Sequence, residues 1–140
     1  MRPSSAQASE QEVAILFADL SGFTPLSEKM DPEEVRDLVD ALFARFRSAI
    51  EAQGGTVDKF IGDAVMAVFG APAAHADDAA RALRAALEMC RALEKFNAER
   101  GLALAMRIGI NAGEVLWGGV GGDRPTALGD AVNVAQRLEG

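Results

Sequence analysis

Hydrophobic positions cluster in blocks whose spacing predicts strands in some parts of the chain and helices in others. The uninterrupted apolar run at residues 13–18 predicts a buried strand. A helix start follows at Asp31-Pro32, where Glu34 completes a capping box. The pattern after it predicts a helix that ends near Gln53, with apolar positions Val35, Leu38, Val39, Leu42, Phe43, Phe46 and Ile50.

The segment at residues 54–70 predicts a β-hairpin with its polar residues at the turn. Two apolar runs flank the dipeptide Gly62-Asp63, which is a strong short-range signal for a hairpin. Asp is common in turns because its side chain bonds to nearby backbone. The plain interpretation of Asp63 is therefore a turn residue.

The second half of the chain predicts a helix, two strands and a last helix. Asp77-Asp78 favours a helix N-terminus, because acidic side chains complement the helix dipole there. Strands are predicted at residues 106–112 and 115–120 with a turn at Gly113-Glu114, and a helix at residues 131–138. The first of these helices has a predicted apolar stripe of Leu83, Leu87, Cys90 and Leu93 or Phe96.

These elements, with a short helix after the loop at residues 20–25, give the order β-α-α-β-β-α-β-β-α. Helices that pack on one face of an antiparallel sheet make an α+β fold of the ferredoxin-like type. Residues 1–11 are polar and are expected to form a disordered leader before a single domain at residues 12–140.

Composition narrows the function classes. The chain has 140 residues, 49% of them hydrophobic, which is enough for one domain with a substantial core. Its net charge of −7 disfavours partnership with nucleic acid, although a local site can still be basic. No signal peptide or membrane-spanning run is evident, so a cytoplasmic location is expected.

Two carboxylates stand at the ends of buried strands. Asp19 directly follows the strand at residues 13–18, and Asp63 lies at the hairpin turn. If the two strands are neighbours, both carboxylates lie at one edge of the sheet, as in a Mg²⁺ or Mn²⁺ site. The residues alone leave this interpretation and that of two ordinary turn and strand-end residues equally open.

The sequences FADLSGFTPLSE and GGTVDKFIGDAVMAVFG together resemble the class III nucleotide cyclases, which make cyclic AMP or cyclic GMP. The resemblance extends from Val13 to Glu139. It implies that Asp19 and Asp63 hold two Mg²⁺ or Mn²⁺ ions per site, with the Leu20 carbonyl as a further ligand. Domains of this family usually continue with further sheet elements, so we expect the catalytic domain to be truncated at its C-terminus.

The same resemblance implies substrate-binding roles for several positions. The loop formed by Gly22, Phe23 and Thr24 matches the segment that cradles the triphosphate. Lys59 matches the position that reads the purine base, where Lys is typical of adenylate cyclases and Glu of guanylate cyclases.

A third motif lies near the C-terminal end of the sequence. Thr126 matches the second base-reading position, and Thr or Ser there resembles the class IIIb subgroup. Asn133 and Arg137, four residues apart on one helix face, match the residues that orient the ribose and hold the α-phosphate.

The resemblance therefore implies an adenylate cyclase with ATP as substrate. The family builds each active site across a homodimer, with Asp19 and Asp63 from one protomer and the base- and phosphate-binding residues from the other. Two alternatives stay open, namely a guanylate cyclase and a non-catalytic module of cyclase fold that senses nucleotide or dimerises. Lys59 argues against the first alternative, and the short segment at residues 121–126 favours the second.

Overall fold

A computed structural model describes residues 9–71, 76–118 and 126–128 of the chain. The elements within these ranges are, in chain order, β1 (Ser9–Ser21), α1 (Thr24–Ser27), α2 (Pro32–Ala52), β2 (Thr56–Ile61), β3 (Ala64–Phe69), α3 (Asp78–Arg100), β4 (Ala105–Gly118) and β5 (Thr126–Leu128).

The five strands form one sheet in the order β2-β3-β1-β4-β5, and every neighbouring pair is antiparallel. The predicted α+β fold with helices and an antiparallel sheet is confirmed. The order of helices and strands also matches as far as β5, but β5 lies at residues 126–128 and not at the predicted residues 115–120. The predicted last helix at residues 131–138 lies outside the described residues. Among the described residues, no helix combines the length and the apolar character that a membrane crossing needs.

Strand β1 lies in the middle of the sheet and is buried on both faces. Leu16 and Ala18 belong to the larger core cluster, which the helices cover, whereas Ile15 and Phe17 belong to a second cluster on the opposite face. Side chains alternate between the two faces of a strand. An uninterrupted apolar run is therefore what this central strand needs.

Helix α2 confirms the prediction made for it. The Asp31 backbone N–H donates a 3.1 Å hydrogen bond to Glu34 Oε1, as the capping-box pattern predicts. Its buried residues are Leu42, Phe43, Phe46 and Ile50. The helix ends at Ala52, and Gly54 then turns the chain toward β2 with a φ of 80°.

Helix α3 begins where Asp77-Asp78 predicts, but it buries a different face. Leu83 and Leu87 are 56% and 52% exposed, and Cys90 is exposed as well, so the predicted stripe is wrong apart from Leu93 and Phe96. Alanines on the buried face let the helix approach its neighbours closely, whereas the side chains of Leu83 and Leu87 face outward. The buried residues are Asp78, Ala82, Ala85, Ala86, Met89, Leu93 and Phe96.

Two strand boundaries differ from the prediction. Residues 113–114 do not form a turn, because Gly113 pairs with Val13 and Glu114 with Glu12, so β4 continues as one strand to Gly118. The partner strand is itself longer than predicted: β1 begins at Ser9, and residues 9–11 are strand rather than leader. Each long strand supplies the backbone hydrogen bonds that the other needs.

Candidate active site

The hairpin turn brings Asp63 next to the end of β1. Gly62 has a φ of 57°, a value that glycine adopts with little strain, and it places Asp63 between β2 and β3. Strand β3 pairs with β1 so that Ala64, the residue after Asp63, lies opposite Asp19. The Leu20 backbone N–H also donates a 3.0 Å hydrogen bond to the Asp63 carbonyl. The structure therefore brings together the two candidate carboxylates and Leu20.

The carboxylate pair fits a divalent cation that substrate oxygens help to bind. Asp63 is exposed and Asp19 is half-buried, so both carboxylates can be reached from solvent. In the described ranges, no three His, Cys, Asp or Glu side chains gather into a closed metal site. Mg²⁺ is commonly held by one or two carboxylates together with phosphates of the substrate. A pair of neighbouring carboxylates, one near the end of β1 and one in the β2–β3 turn, meets that requirement.

The loop after β1 is shaped by a glycine. Gly22 has a φ of 95°, and a Cβ atom there would lie 3.1 Å from the Ala103 carbonyl oxygen. Phe23 is the N-cap residue of α1, and its carbonyl accepts hydrogen bonds from the backbone N–H of Ser27 (2.8 Å) and from Ser27 Oγ (3.1 Å). Thr24 is exposed. The candidate triphosphate loop thus directly follows the end of β1, and Gly22 lies close to the backbone of residues 103–105, where β4 begins.

Lys59 lies on the same sheet face as Asp19. It pairs with Met66 on β3, and Met66 pairs in turn with Phe17 on β1. Phe17 and Met66 both belong to the core cluster on the face away from the helices. Asp19 lies two residues beyond Phe17 on β1 and so shares that face. One face of the sheet therefore presents a lysine and, two strands away, a carboxylate.

Two charged residues near these positions are not among the candidates that the sequence predicts. Asp58 is buried, and its Oδ2 lies 3.6 Å from Lys59 Nζ. Arg107 on β4 lies opposite Asp19 on β1. A charged pair inside an apolar strand is a visible signal for Asp58, whereas the position of Arg107 depends on the strand register.

Of the three C-terminal candidates, only Thr126 lies within the described residues. Thr126 is the first residue of β5 and pairs with Gly118 of β4. Strands β5 and β2 occupy opposite ends of the strand order, so strand pairing does not bring Thr126 beside Lys59. Asn133 and Arg137 lie outside the described residues.

Comparison with known proteins identifies the family. Residues 5–140 match the model of the adenylate and guanylate cyclase catalytic domain. The chain belongs to this family. The match covers both described carboxylates, Lys59 and the C-terminal motif.

The relatives of this domain include both adenylate cyclases and guanylyl cyclases. An adenylate cyclase of Anabaena cylindrica is 41% identical over 146 residues, which cover 95% of this chain and 28% of that protein. The solved adenylyl cyclase CyaB from P. aeruginosa has a TM-score of 0.88 and 31% identity, and the match covers 95% of this chain and 73% of that one. The solved guanylyl cyclase Cya2 has a TM-score of 0.86 and 38% identity, with 95% and 71% covered. This chain thus spans about a quarter of the length of the curated relative.

A cleft of about 580 Å³ on the cyclase domain lies between α2 and the β2–β3 hairpin. Phe43 of α2 and Phe60 of β2 stack in it, with ring centroids 4.9 Å apart, and the Arg47 guanidinium lies 5.3 Å from the Phe60 ring centroid. The cleft reaches the candidate site only at the turn, where Asp63 lines it. Because Phe60 packs against a helix, most of this cleft lies on the other side of the sheet from Lys59.

Proposed function

We propose that this cyclase domain converts ATP into 3′,5′-cyclic AMP and pyrophosphate. The observation that carries the proposal is the closeness of Asp19 and Asp63, next to the candidate triphosphate loop. Strand pairing and the backbone hydrogen bond between Leu20 and Asp63 bring these two residues together. The ribose 3′-oxygen forms a bond to the α-phosphorus, and the bond from that phosphorus to the bridging oxygen of pyrophosphate breaks. The 3′-hydroxyl proton is released.

The carboxylates and the Leu20 carbonyl are the groups that would hold Mg²⁺ or Mn²⁺, two ions per site. When bound, these ions supply two effects: they lower the pKa of the ribose 3′-hydroxyl, and they neutralise triphosphate charge. Asp19 is fixed by its place in a strand with partners on both sides. Asp63 is held by the hairpin turn, so the two carboxylates are preorganised before substrate arrives.

The base and the phosphates are bound by different parts of the chain. The Lys59 ammonium donates a hydrogen bond to an acceptor nitrogen of adenine, N1 or N7, with Thr126 at the second base-reading position. Backbone N–H groups of Gly22, Phe23 and Thr24 approach the triphosphate, because the loop follows the carboxylate edge. Asn133 orients the ribose, and Arg137 stabilises negative charge that develops on the α-phosphate in the transition state.

We also propose that the active unit is a homodimer with two shared sites. In this arrangement Asp19 and Asp63 come from one protomer, and Lys59, Thr126, Asn133 and Arg137 come from the other. Family membership supports this arrangement. A two-fold symmetric pair then contains two equivalent sites.

Product analysis by mass spectrometry tests the reaction. The purified chain is incubated with ATP or with GTP, each with Mg²⁺ and with Mn²⁺, and cyclic nucleotides are quantified. We expect cyclic AMP from ATP and much less cyclic GMP from GTP. A folded chain that binds ATP without forming cyclic AMP would instead be a nucleotide-sensing module.

A guanylate cyclase is the second candidate, because the solved guanylyl cyclase Cya2 is 38% identical to this chain. Guanine carries a donor N1–H and an acceptor O6 where adenine carries an acceptor N1 and a donor amino group. A lysine can donate to the acceptors of either base but cannot accept from guanine N1–H. Lys59 therefore favours adenine, and dominant cyclic GMP formation would overturn the choice of base.

A further inference from the structure

The partner of Lys59 is a carboxylate that is withdrawn from water. The Asp58 side chain has 0% exposure, the Lys59 side chain has 39%, and Asp58 Oδ2 lies 3.6 Å from Lys59 Nζ. Carboxylates are rarely buried to this degree in proteins, because removing the charge from water is costly. An ion pair between adjacent residues is also uncommon in a regular strand, where successive side chains point to opposite faces.

A β-bulge explains how the two adjacent side chains meet. Val57 pairs with Ala67 and Lys59 pairs with Met66, which are consecutive on β3, so Asp58 is the extra residue on β2. In a bulge of this kind, two residues of one strand oppose a single residue of its partner. Asp58 and Lys59 thus both lie opposite Met66.

The same bulge moves Lys59 to the other side of the sheet. Val57 belongs to the core cluster beneath the helices, whereas Met66 belongs to the cluster on the opposite face. In an unbroken strand Lys59 would share the face of Val57, two residues earlier. The extra residue instead turns Lys59 onto the sheet face that also carries Asp19, away from the helices.

We propose that Asp58 is a positioning residue for base recognition: it holds the Lys59 ammonium at one place on this face. The inference rests on the proposed function, in which Lys59 reads adenine. Lysine has a long, flexible side chain whose ammonium is otherwise free to move into solvent. A buried carboxylate at its side limits that movement and keeps the ammonium near the base.

The central test is Asp58→Asn, which removes the charge and keeps the shape. KM and kcat are measured for ATP and for GTP. We expect the ratio of kcat/KM for ATP over that for GTP to fall by about tenfold, mainly through a higher KM for ATP. If the substitution only reduced the fraction of folded protein, activity toward both nucleotides would fall equally and the ratio would stay the same. An unchanged ratio would therefore overturn the proposal.

A matched control is available in α3. Asp78 is also a buried carboxylate, but it lies at the start of a helix and not beside Lys59. Asp78→Asn should change stability without changing the ATP-over-GTP ratio. If Asp58→Asn does not fold, Asp58→Glu keeps the charge and displaces it by one methylene, and it should lower the ratio to a smaller extent. An unchanged ratio in that folded variant would also count against the proposal.

A double-mutant cycle shows whether Asp58 acts through Lys59. In a Lys59→Met background, Asp58→Asn should no longer change the ratio of ATP to GTP use, because the group that it positions is gone. An equal fall in both backgrounds would mean that Asp58 acts by another route.

Equilibrium binding separates this proposal from the proposed reaction. The probes are 2′,3′-dideoxy-ATP and 2′,3′-dideoxy-GTP, which lack the attacking hydroxyl, and affinity is measured by calorimetry. If the wild-type chain forms no cyclic nucleotide, the proposed reaction fails, but a preference for the adenine probe that Asp58→Asn abolishes still supports the positioning role. A wild-type chain with no adenine preference, or an Asp58→Asn variant that keeps it, overturns that role.

Discussion

The Leu20 backbone N–H donates a 3.0 Å hydrogen bond to the backbone carbonyl of Asp63. Leu20 follows Asp19 at the end of β1, and Asp63 lies in the turn between β2 and β3. The bond extends the β1–β3 pairing, in which Asp19 lies opposite Ala64, by one step into the turn. Backbone contacts thereby bring Asp19 and Asp63, which are far apart in sequence, next to each other.

Mixing two inactive variants tests whether the sites are shared. Asp19→Ala removes a candidate metal ligand and Arg137→Ala removes the candidate α-phosphate contact, so each homodimer should be inactive. In a mixture, one of the two sites in a heterodimer combines an intact carboxylate pair with an intact Arg137. We expect cyclic AMP formation to reappear, at up to about a quarter of the wild-type rate for random pairing.

The control for this experiment is a mixture of Asp19→Ala with Asp63→Ala. Both changes affect the same half-site, so every dimer has two defective sites and no activity should return. If the first mixture also stays inactive while both variants exchange subunits, the carboxylates and Arg137 act within one protomer.

The close approach of Gly55 to Phe69 makes a prediction about stability. A Cβ atom at position 55 would lie 2.4 Å from a ring carbon of Phe69, which is fully buried. We expect Gly55→Ala to reduce the free energy of unfolding by about 1–3 kcal/mol, measured by urea denaturation. In combination with Phe69→Leu, which makes room, the loss should be smaller than the sum of the two single losses. Simple additivity would contradict this contact.

The face that α3 buries can be tested with a pair of truncations. Phe96 is fully buried, and Phe96→Ala should cost about 3–5 kcal/mol of unfolding free energy. Leu83 is 56% exposed, and Leu83→Ala should change that free energy by no more than about 0.5 kcal/mol. A large loss of unfolding free energy for Leu83→Ala would instead support the buried face that the sequence pattern predicts.

Asp77 gives the stability of the domain a pH dependence. The Arg81 side chain donates a 2.8 Å hydrogen bond to Asp77 Oδ1 and holds the pKa of this carboxyl below its ordinary value of 3.8. A carboxyl whose pKa is lower in the folded state stabilises the fold above its ordinary pKa. This contribution is lost as the pH falls through the lower, folded-state pKa.

We therefore expect the melting temperature of Asp77→Asn to lie below that of the wild type at pH 6 and to converge with it below pH of about 4. The measurement is a series of thermal melts from pH 6 down to a pH of about 2, so that it passes through the lowered pKa. Asp37→Asn, at an exposed position of α2, is the control and should show no such convergence. A difference at Asp77 that persists unchanged into acid would rule out the Arg81 contact as its cause.

The sequence predicts the elements that carry strong local signals. The hairpin around Gly62-Asp63 and the cap of α2 depend on turn and capping chemistry, which a few neighbouring residues determine. The continuous apolar run of β1 likewise predicts a buried strand.

The errors lie where tertiary contacts override the local pattern. Glycine is common in turns, but β1 is long enough for Val13 to pair with Gly113, so this residue lies in a strand. In α3, large leucines suggest a buried face, whereas close packing against α2 and the sheet selects the side lined with alanines. The bulge at Asp58 depends on the register between β2 and β3, which no local signal specifies.

The central claim is that Asp63 takes part in cyclising ATP. The most direct measurement is the rate of cyclic AMP formation by Asp63→Asn, compared with wild type and with Asp40→Asn. Asp40 is an exposed carboxylate of α2 that also lines the cleft. With all three proteins shown to be folded, this claim predicts a loss of more than about 100-fold for Asp63→Asn and near-normal activity for Asp40→Asn. Wild-type activity that survives in Asp63→Asn would contradict it.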